Sequence, residues 1–505
     1  MEPFWLSSAP WTKKARSFSC GRWEHLYLFN LASKSITPVL EEDLLIGGFD
    51  ISPDGQTVLF TARTSNRRND GNTSEIYKIT IGEKNKVRLT TNNTPEGDLA
   101  WAPDGTSFAF TACDDKEWLN RNEKIWIMDS TGGDFRLLSG EYEGGIRRLT
   151  WTPDSRSLLF NGQQGTNTNL FKIEAKTGEV VPLTDIEGSL RVAGFSRDRQ
   201  TMAYTFSDFD TPADVYASSV SDFSAVRLTD ANPWVEKDLL LADMKVIQWK
   251  SENDMTIEGL LHLPQNPEEK SPYPLVLNIH GGPAGCFTNS FRAGYHIHAG
   301  LGYASLSPNV RGSSGYTDLM RGVDAVIEQG LALPDRLGLR GWSYGGILGG
   351  WTIAHTDRFL AASLGAGVYD WTSKYGPGFN FDVRLWHIGG TPWTNPDGYR
   401  EQSTLTHVEK ITTPTLLIHG MLDTTDTENQ SMMLFTALKD IGKVPVRYLR
   451  VPREPHGFRE PRHQRIRDIE EIKWLQKYVR NIDWKPWERK TDEKTEKQSV
   501  LKQPE

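Results

Sequence analysis

Cysteine is scarce in this chain. Only Cys20, Cys113 and Cys286 occur in 505 residues, far apart and without metal-ligand spacing. A disulfide-stapled scaffold and a zinc ribbon are excluded, and individually placed reduced thiols are the simplest reading. Long apolar runs are missing too: no stretch of roughly 18 apolar residues is present to cross a membrane as a helix. Basic residues do not dominate. Lys and Arg number 57 against 65 Asp and Glu, a formal charge of -8, and no basic stripe offers a footprint for nucleic acid. The opening "MEPFWLSSAPWTKKARSF" lacks the basic-then-apolar order of a secretory signal, which points to a cytoplasmic location. "YHIHAG" holds His296 and His298 but no third ligand at metal spacing, so no metal is expected there.

What is present describes a soluble globular protein, with 37% hydrophobic and 24% charged residues. The length is too great for one core and calls for at least two domains. The C-terminal "ERKTDEKTEKQSVLKQPE" is charged and lacks apolar periodicity, the composition of a disordered tail.

The first half repeats itself. "FDISPDGQTVLFTA", "LAWAPDGTSFAFTA", "LTWTPDSRSLLFNG" and the weaker "GFSRDRQTMAYTF" place aspartates at 54, 104, 154 and 198. Each phrase is an alternating strand, a tight turn and a second alternating strand, which is a β-hairpin. A second phrase follows, with its aromatic at Tyr27, Tyr77, Trp126, Phe171 and Tyr216. Together the two phrases make four short strands per repeat, as in a β-propeller blade. Five blade endings are visible, the first without a clear hairpin before it. A β-sandwich fits poorly because the turn phrase recurs at so constant a phase.

After "WVEKDLLLADMKVIQW" the repeat stops. Apolar runs such as "PLVLNIH", "YASLSPNV", "RLGLRGWS" and "TPTLLIHG" alternate with helical stretches, which implies a mostly parallel α/β sheet. We expect a propeller over residues 1–235, an α/β-hydrolase domain over 236–485 and the polar tail over 486–505.

In that context "LRGWSYGGILGG" places Ser343 between a strand and a helix, with Gly341 and Gly345 leaving room for a sharp turn. This is the nucleophile-elbow arrangement. A serine hydroxyl needs a base to take its proton, and the base needs an acid to hold it. In α/β-hydrolases the acid and then the histidine follow in the chain. Asp423 in "LLIHGMLDTTD" and His456 in "YLRVPREPHGF" both follow strands, at the edge where open α/β sheets bind ligands. Asp426 is an alternative acid. His407 precedes the acid and breaks the order, His419 reads as a structural hydrogen-bonding residue, and His463 opens a helix and reads as solvated. "HGGP" follows its own strand, so a backbone N–H of that loop, with the N–H of Tyr344, would form an oxyanion hole.

The motifs "NIHGGP", "SPNVRGSSGY", "RGWSYGG", "LLIHGMLD", "NQSMMLFTALKDIGKVP" and "PREPHGF" together resemble the prolyl oligopeptidase family, most closely its acylaminoacyl-peptidase and dipeptidyl-peptidase-like branch. The resemblance covers nearly the whole chain. It implies a propeller acting as a size filter over an α/β-hydrolase domain, a serine peptidase for short peptides, and no metal or organic cofactor. It implies Ser343 as nucleophile, Asp423 as acid, His456 as base, and Gly282 and Tyr344 as the oxyanion-hole donors. "GVYDWTSKYG" is similar to the segment bordering the specificity pocket, with Trp371 and Tyr375 as lining residues, although core packing explains them equally well.

The chain departs from the family pattern in four places. Five blade endings replace the usual seven or eight, as in a short propeller or a chain missing N-terminal blades. Tyr316 runs almost directly into a helix, Thr425 stands where the acid loop carries an Arg, and Ile347 replaces a larger residue. An esterase using the same triad, and a catalytically impaired propeller-based binding protein, are the alternative readings. Short peptides are the expected partners, with no nucleic acid or membrane, and association into a homo-oligomer is left open.

Overall fold

The structure is a computed structural model. It describes residues 4–11 and 23–486, apart from 67, 93, 116, 117, 119, 120, 267, 268, 312–314 and 379–387. Cys20 and the expected tail from 487 onward lie outside the described residues.

The N-terminal half is built of antiparallel strands. Four meanders follow one another: Ile36–Ile51 to Val87–Arg88, Glu96–Trp101 to Phe135–Leu137, Gly145–Trp151 to Val180–Pro182, and Ser189–Phe195 to Val226–Arg227. Ahead of them Phe4–Trp11 pairs antiparallel with Trp23–Asn30, which pairs with the first part of Ile36–Ile51. The first repeat, which has no legible hairpin in sequence, therefore does have a strand before it. No sheet closes on itself among the described residues.

The repeated aspartate has a local cause. In each turn its Oδ1 accepts the backbone N–H two residues on, from Gln56 (3.0 Å), Thr106 (2.9 Å), Arg156 (3.1 Å) and Gln200 (3.1 Å). This side-chain turn takes the place of a backbone one and favours Asp there. Between the turns, successive residues of the second strand are buried on both faces, Phe60, Phe108, Phe110 and Phe160 completely or almost completely. Successive meanders are tied across the repeat: Trp101 N donates to Asp50 Oδ2 (2.7 Å), and the Trp151 indole N–H donates to the Ala100 carbonyl (2.9 Å).

The C-terminal half is one eight-stranded sheet. Its order is Asp243–Lys250, Thr256–Leu263, Ala304–Pro308, Tyr273–Ile279, Ala332–Trp342, Phe359–Gly365, Thr415–Gly420 and Val446–Val451. The first two strands are antiparallel additions, and from Ala304–Pro308 onward neighbours run parallel. Inner strands read as unbroken apolar runs because both faces are covered. Leu275, Leu277 and Ile279 face Leu319, Val323, Ile353 and Leu434 from helices Gly315–Glu328, Tyr344–His355 and Asn429–Ile441. Val276, Leu416 and Ile418 face Trp474 and Leu475 of helix Pro461–Leu475 on the other side. Each fully buried Leu or Ile contributes about 1.5–3 kcal/mol by leaving water.

The two halves meet through backbone-directed hydrogen bonds. Asn289 N donates to the Thr166 carbonyl (2.7 Å), and Phe291 N donates to Ser207 Oγ (3.0 Å). His296 bridges the Phe209 carbonyl through Nε2 (2.9 Å) and accepts Ala242 N at Nδ1 (3.1 Å). Both ring nitrogens of His296 are thereby used, Nε2 across to the N-terminal half and Nδ1 within its own half. His298 is buried against Arg340 Nη1 (3.0 Å). Among the described residues no helix is long and apolar enough to cross a membrane.

Candidate active site

Strand Ala332–Trp342 ends one residue before Ser343, and helix Tyr344–His355 begins one residue after it. The turn between them leaves the backbone little room. A Cβ on Gly341 would lie 2.2 Å from the Gly345 carbonyl oxygen, and one on Gly345 would lie 2.1 Å from the Ile279 carbonyl oxygen. Ser343 itself sits at φ 59°, ψ -121°, a region that costs a non-glycine residue about 1–3 kcal/mol. The surrounding structure enforces it: Ser343 N donates to the Gly365 carbonyl (2.9 Å), and Ile347 N to the Ser343 carbonyl (3.0 Å).

Asp423 and His456 come to this serine from loops after the strands Thr415–Gly420 and Val446–Val451. Ser343 Oγ lies 2.8 Å from His456 Nε2, and His456 Nδ1 lies 2.7 Å from Asp423 Oδ2. Three residues spread over more than a hundred positions thus form one continuous hydrogen-bonded line. The Asp423 side chain is fully buried, while that of His456 is about a quarter exposed (26%). Burial pushes the Asp423 carboxyl up, but hydrogen bonds from His419 and His456 outweigh it and hold its pKa at about 2. Burial works against a charged His456, yet the bond to Asp423 and its charge outweigh it and raise the ring above its ordinary value. A serine, a histidine that gains a proton readily and a buried carboxylate are the components that activate a hydroxyl nucleophile.

The other candidates fall elsewhere. Asp426 does not face His456 as the acid does; its Oδ1 pairs with Lys374 Nζ at 2.7 Å, both side chains being almost fully buried. His407 bonds the Glu401 carbonyl (3.0 Å) and packs on Trp351 and His355. His419 is buried beside the acid, a placement taken up below. His463 overturns its expected solvation: it is 6% exposed, with Nδ1 2.8 Å from Glu454 Oε1. Although it opens helix Pro461–Leu475, whose Pro461 and Arg462 are exposed, its own ring turns to the histidine loop rather than to water.

Glu454 is the reason. Its buried carboxylate accepts Arg459 N (2.6 Å) and Glu460 N (3.0 Å) as well as His463, so it closes the loop that carries His456. The Trp342 indole N–H donates to the His456 carbonyl (2.9 Å) and ties that loop to the elbow strand. Glu454, Glu460 and His463 also lie together at metal-ligand range. Glu454 is already engaged by three donors, and Glu460 is held by Arg453 through two 2.8 Å bonds.

The "HGGP" loop runs alongside the serine. A Cβ on Gly281 would lie 3.6 Å from the Ser343 Cβ, and Gly282 has φ 133°, a conformation that glycine adopts without strain. Tyr344 is the first residue of its helix, where backbone N–H groups have no intrahelical acceptor. Trp371 is buried, 6% exposed, with its indole N–H on the Gln402 carbonyl (3.0 Å). Tyr375 is half-buried between exposed Trp393, with ring centroids at 5.0 Å, and buried Tyr399 at 6.3 Å.

The segment around Trp371 is fastened to the acid loop. Gln430 Oε1 accepts the N–H groups of Tyr369 (3.0 Å) and Asp370 (2.9 Å), and Gln430 Nε2 donates to Ser373 Oγ (2.9 Å). Lys374 bonds the Thr425 carbonyl as well as Asp426. Sequence reading passed over Lys374, Gln430 and Glu454, because a lone Lys, Gln or Glu carries no local signal of burial. Thr425, at the position of the family's Arg, turns its N–H to Asp423 Oδ1 (2.8 Å).

Known proteins resemble this chain in sequence and in fold. Residues 312–481 match the sequence profile described as the prolyl oligopeptidase family. An uncharacterized peptidase, YuxL, of Bacillus subtilis is 24% identical over 515 residues, covering 95% of this chain and 78% of the relative. Dipeptidyl-peptidase 5 of Porphyromonas gingivalis is 26% identical, covering 86% of this chain and 67% of that one. Among solved structures, an acylaminoacyl peptidase of Pyrococcus horikoshii superposes with a TM-score of 0.80 at 20% identity, over 96% of this chain and 81% of that one. At that identity the superposition speaks for the fold alone.

Proposed function

We propose that this chain is a serine peptidase that hydrolyses short peptides through an acyl-enzyme on Ser343. The observation that carries the proposal is the line from Ser343 Oγ to His456 Nε2 (2.8 Å) and from His456 Nδ1 to Asp423 Oδ2 (2.7 Å). Ser343 attacks the peptide carbonyl as His456 Nε2 takes its proton, and Asp423 holds the ring and stabilises the imidazolium. The backbone N–H groups of Gly282 and Tyr344 receive the oxyanion. Collapse of the tetrahedral intermediate breaks the C–N bond, and His456 returns the proton to the leaving amine. Water, deprotonated by the same histidine, then releases the acid and regenerates the serine.

The match to the prolyl oligopeptidase family supports the peptidase class. The names of the relatives, a dipeptidyl-peptidase among them, support short peptides as substrates. We take the four meanders and the strands ahead of them as five blades of a short propeller that limits substrate size. Tyr375 would border the pocket for the residue before the scissile bond, with Trp371 supporting it from the core. A fluorophosphonate probe labels the wild type and not Ser343→Ala; equal labelling of both refutes the nucleophile. Rates on aminoacyl anilides against short acyl esters then separate peptidase from esterase.

A further inference from the structure

His419 is the penultimate residue of the strand Thr415–Gly420 and is completely buried. Its Nε2 faces two acceptors, Asp423 Oδ2 at 3.2 Å and the Asp426 carbonyl at 2.6 Å. Neither can donate while Asp423 is ionised, so the hydrogen of the ring sits on Nε2. In the neutral ring Nδ1 then accepts, and the Ser431 hydroxyl lies 2.8 Å from it. Ser431 belongs to the first turn of helix Asn429–Ile441, so the tautomer is held from a second element.

The same Asp423 oxygen that faces His456 therefore also faces His419. The other oxygen, Oδ1, accepts the N–H groups of Thr425 (2.8 Å) and Asp426 (3.0 Å). Four donors surround a carboxylate with no exposed surface. Removing His419 leaves Oδ2 with His456 as its one remaining donor, since water has no access to replace the lost one.

We propose that His419 is a positioning residue of the triad: its Nε2–H shares the Asp423 oxygen with His456, fixing the carboxylate and moderating the basicity of His456. The proposal rests on Ser343, His456 and Asp423 acting as described above. The mechanism is electrostatic. With His419 in place, part of the charge on Oδ2 is engaged elsewhere. Without it, the full charge meets His456 and stabilises its protonated form. The charged group bonded to His456 is Asp423, with the Asp426–Lys374 pair acting on it through space; those near His419 are Asp423 and Glu428, while Asp426 meets it only through its backbone carbonyl. Only His419 differs between the proteins compared below.

The test is the pH profile of kcat/KM for His419→Phe and His419→Gln, with folding followed by circular dichroism. In His419→Phe the acidic limb moves up by about half a pH unit and kcat falls about 10-fold. In His419→Gln the side-chain amide supplies an N–H at the place of Nε2, and the limb returns towards the wild type. A limb that stays or moves down in His419→Phe overturns the proposal, even if kcat falls, because a packing defect alone does not retitrate His456. If His419→Phe does not fold, His419→Met, which also lacks the donor, decides by the same criterion. Labelling of the wild type by fluorophosphonate separates the outcomes: an unlabelled wild type refutes Ser343 as nucleophile, whereas a labelled one with unmoved limbs refutes only the role of His419.

Discussion

Gly345→Ala places the smallest side chain where the elbow has no space for it. On an ordinary helix the exchange is favourable by about 1 kcal/mol, since alanine is the better helix former. Here the new Cβ lies 2.1 Å from the Ile279 carbonyl oxygen, 2.9 Å from its carbon and 3.1 Å from the His280 carbonyl oxygen. All three are backbone atoms, so no rotamer relieves the contact. Ordinary van der Waals separation requires an opening of about 1 Å. Strand Tyr273–Ile279 is pinned on both sides, with Leu277 against Leu306 and Ile279 against Gly341. The movement is therefore transmitted forward into Gly281 and Gly282, the loop beside Ser343. A displacement of about 1 Å at a catalytic group costs about 100-fold in rate, and overpacking of this kind costs about 1–3 kcal/mol of stability. We expect kcat/KM on an aminoacyl anilide and the rate of fluorophosphonate labelling to fall together by about two orders of magnitude. The protein should stay folded, with a lowered melting temperature. A folded Gly345→Ala protein within threefold of wild-type kcat/KM would refute the steric reasoning, and with it the placement of the oxyanion loop.

The pH dependence of activity follows from His456, whose pKa is raised by Asp423 against the opposing effect of burial. As a base it works only when neutral, so kcat/KM rises with pH through a limb centred above the ordinary histidine value, and Asp423→Asn moves that limb down while cutting the rate. Stability has the opposite windows: the His456 contribution is complete below the ordinary value and lost as pH rises through the limb. That of Asp423, held at about 2, is present above the ordinary Asp value and lost as pH falls towards 2; urea melts across pH read both. Lys374→Met strands the Asp426 carboxylate, whose side chain is 7% exposed, and removing one partner of a buried pair costs about 3–5 kcal/mol. Adding Asp426→Leu recovers most of that loss in denaturant melts, and a double variant no more stable than Lys374→Met contradicts it.

The elbow was legible because its requirements are local. A strand, a serine flanked by glycines and a helix must be contiguous, and each of the three leaves its periodicity or its composition in the chain. The hairpin repeat was legible for the same reason, since an aspartate that accepts the N–H two residues on recurs wherever that turn recurs. Ser343, Asp423 and His456 could be picked out because each follows a strand, and parallel strands deliver the residues after them to one edge of the sheet. Burial of single polar residues was not legible. His463 reads as a surface residue until Glu454 is found across from it, and Lys374 carries no sign of burial until Asp426 closes on it.

Sequence alone thus determined the two-part architecture, the order of the strands' chemistry and the residues that reach the sheet edge, because periodicity and turn preference act over a few neighbours. Only the tertiary structure decided that Asp423 and not Asp426 faces His456, that His419 stands behind the acid, and that Glu454 and Trp342 hold the histidine loop. Those outcomes depend on which groups from distant segments occupy the same few ångströms, where a buried charge is stable only beside its partner.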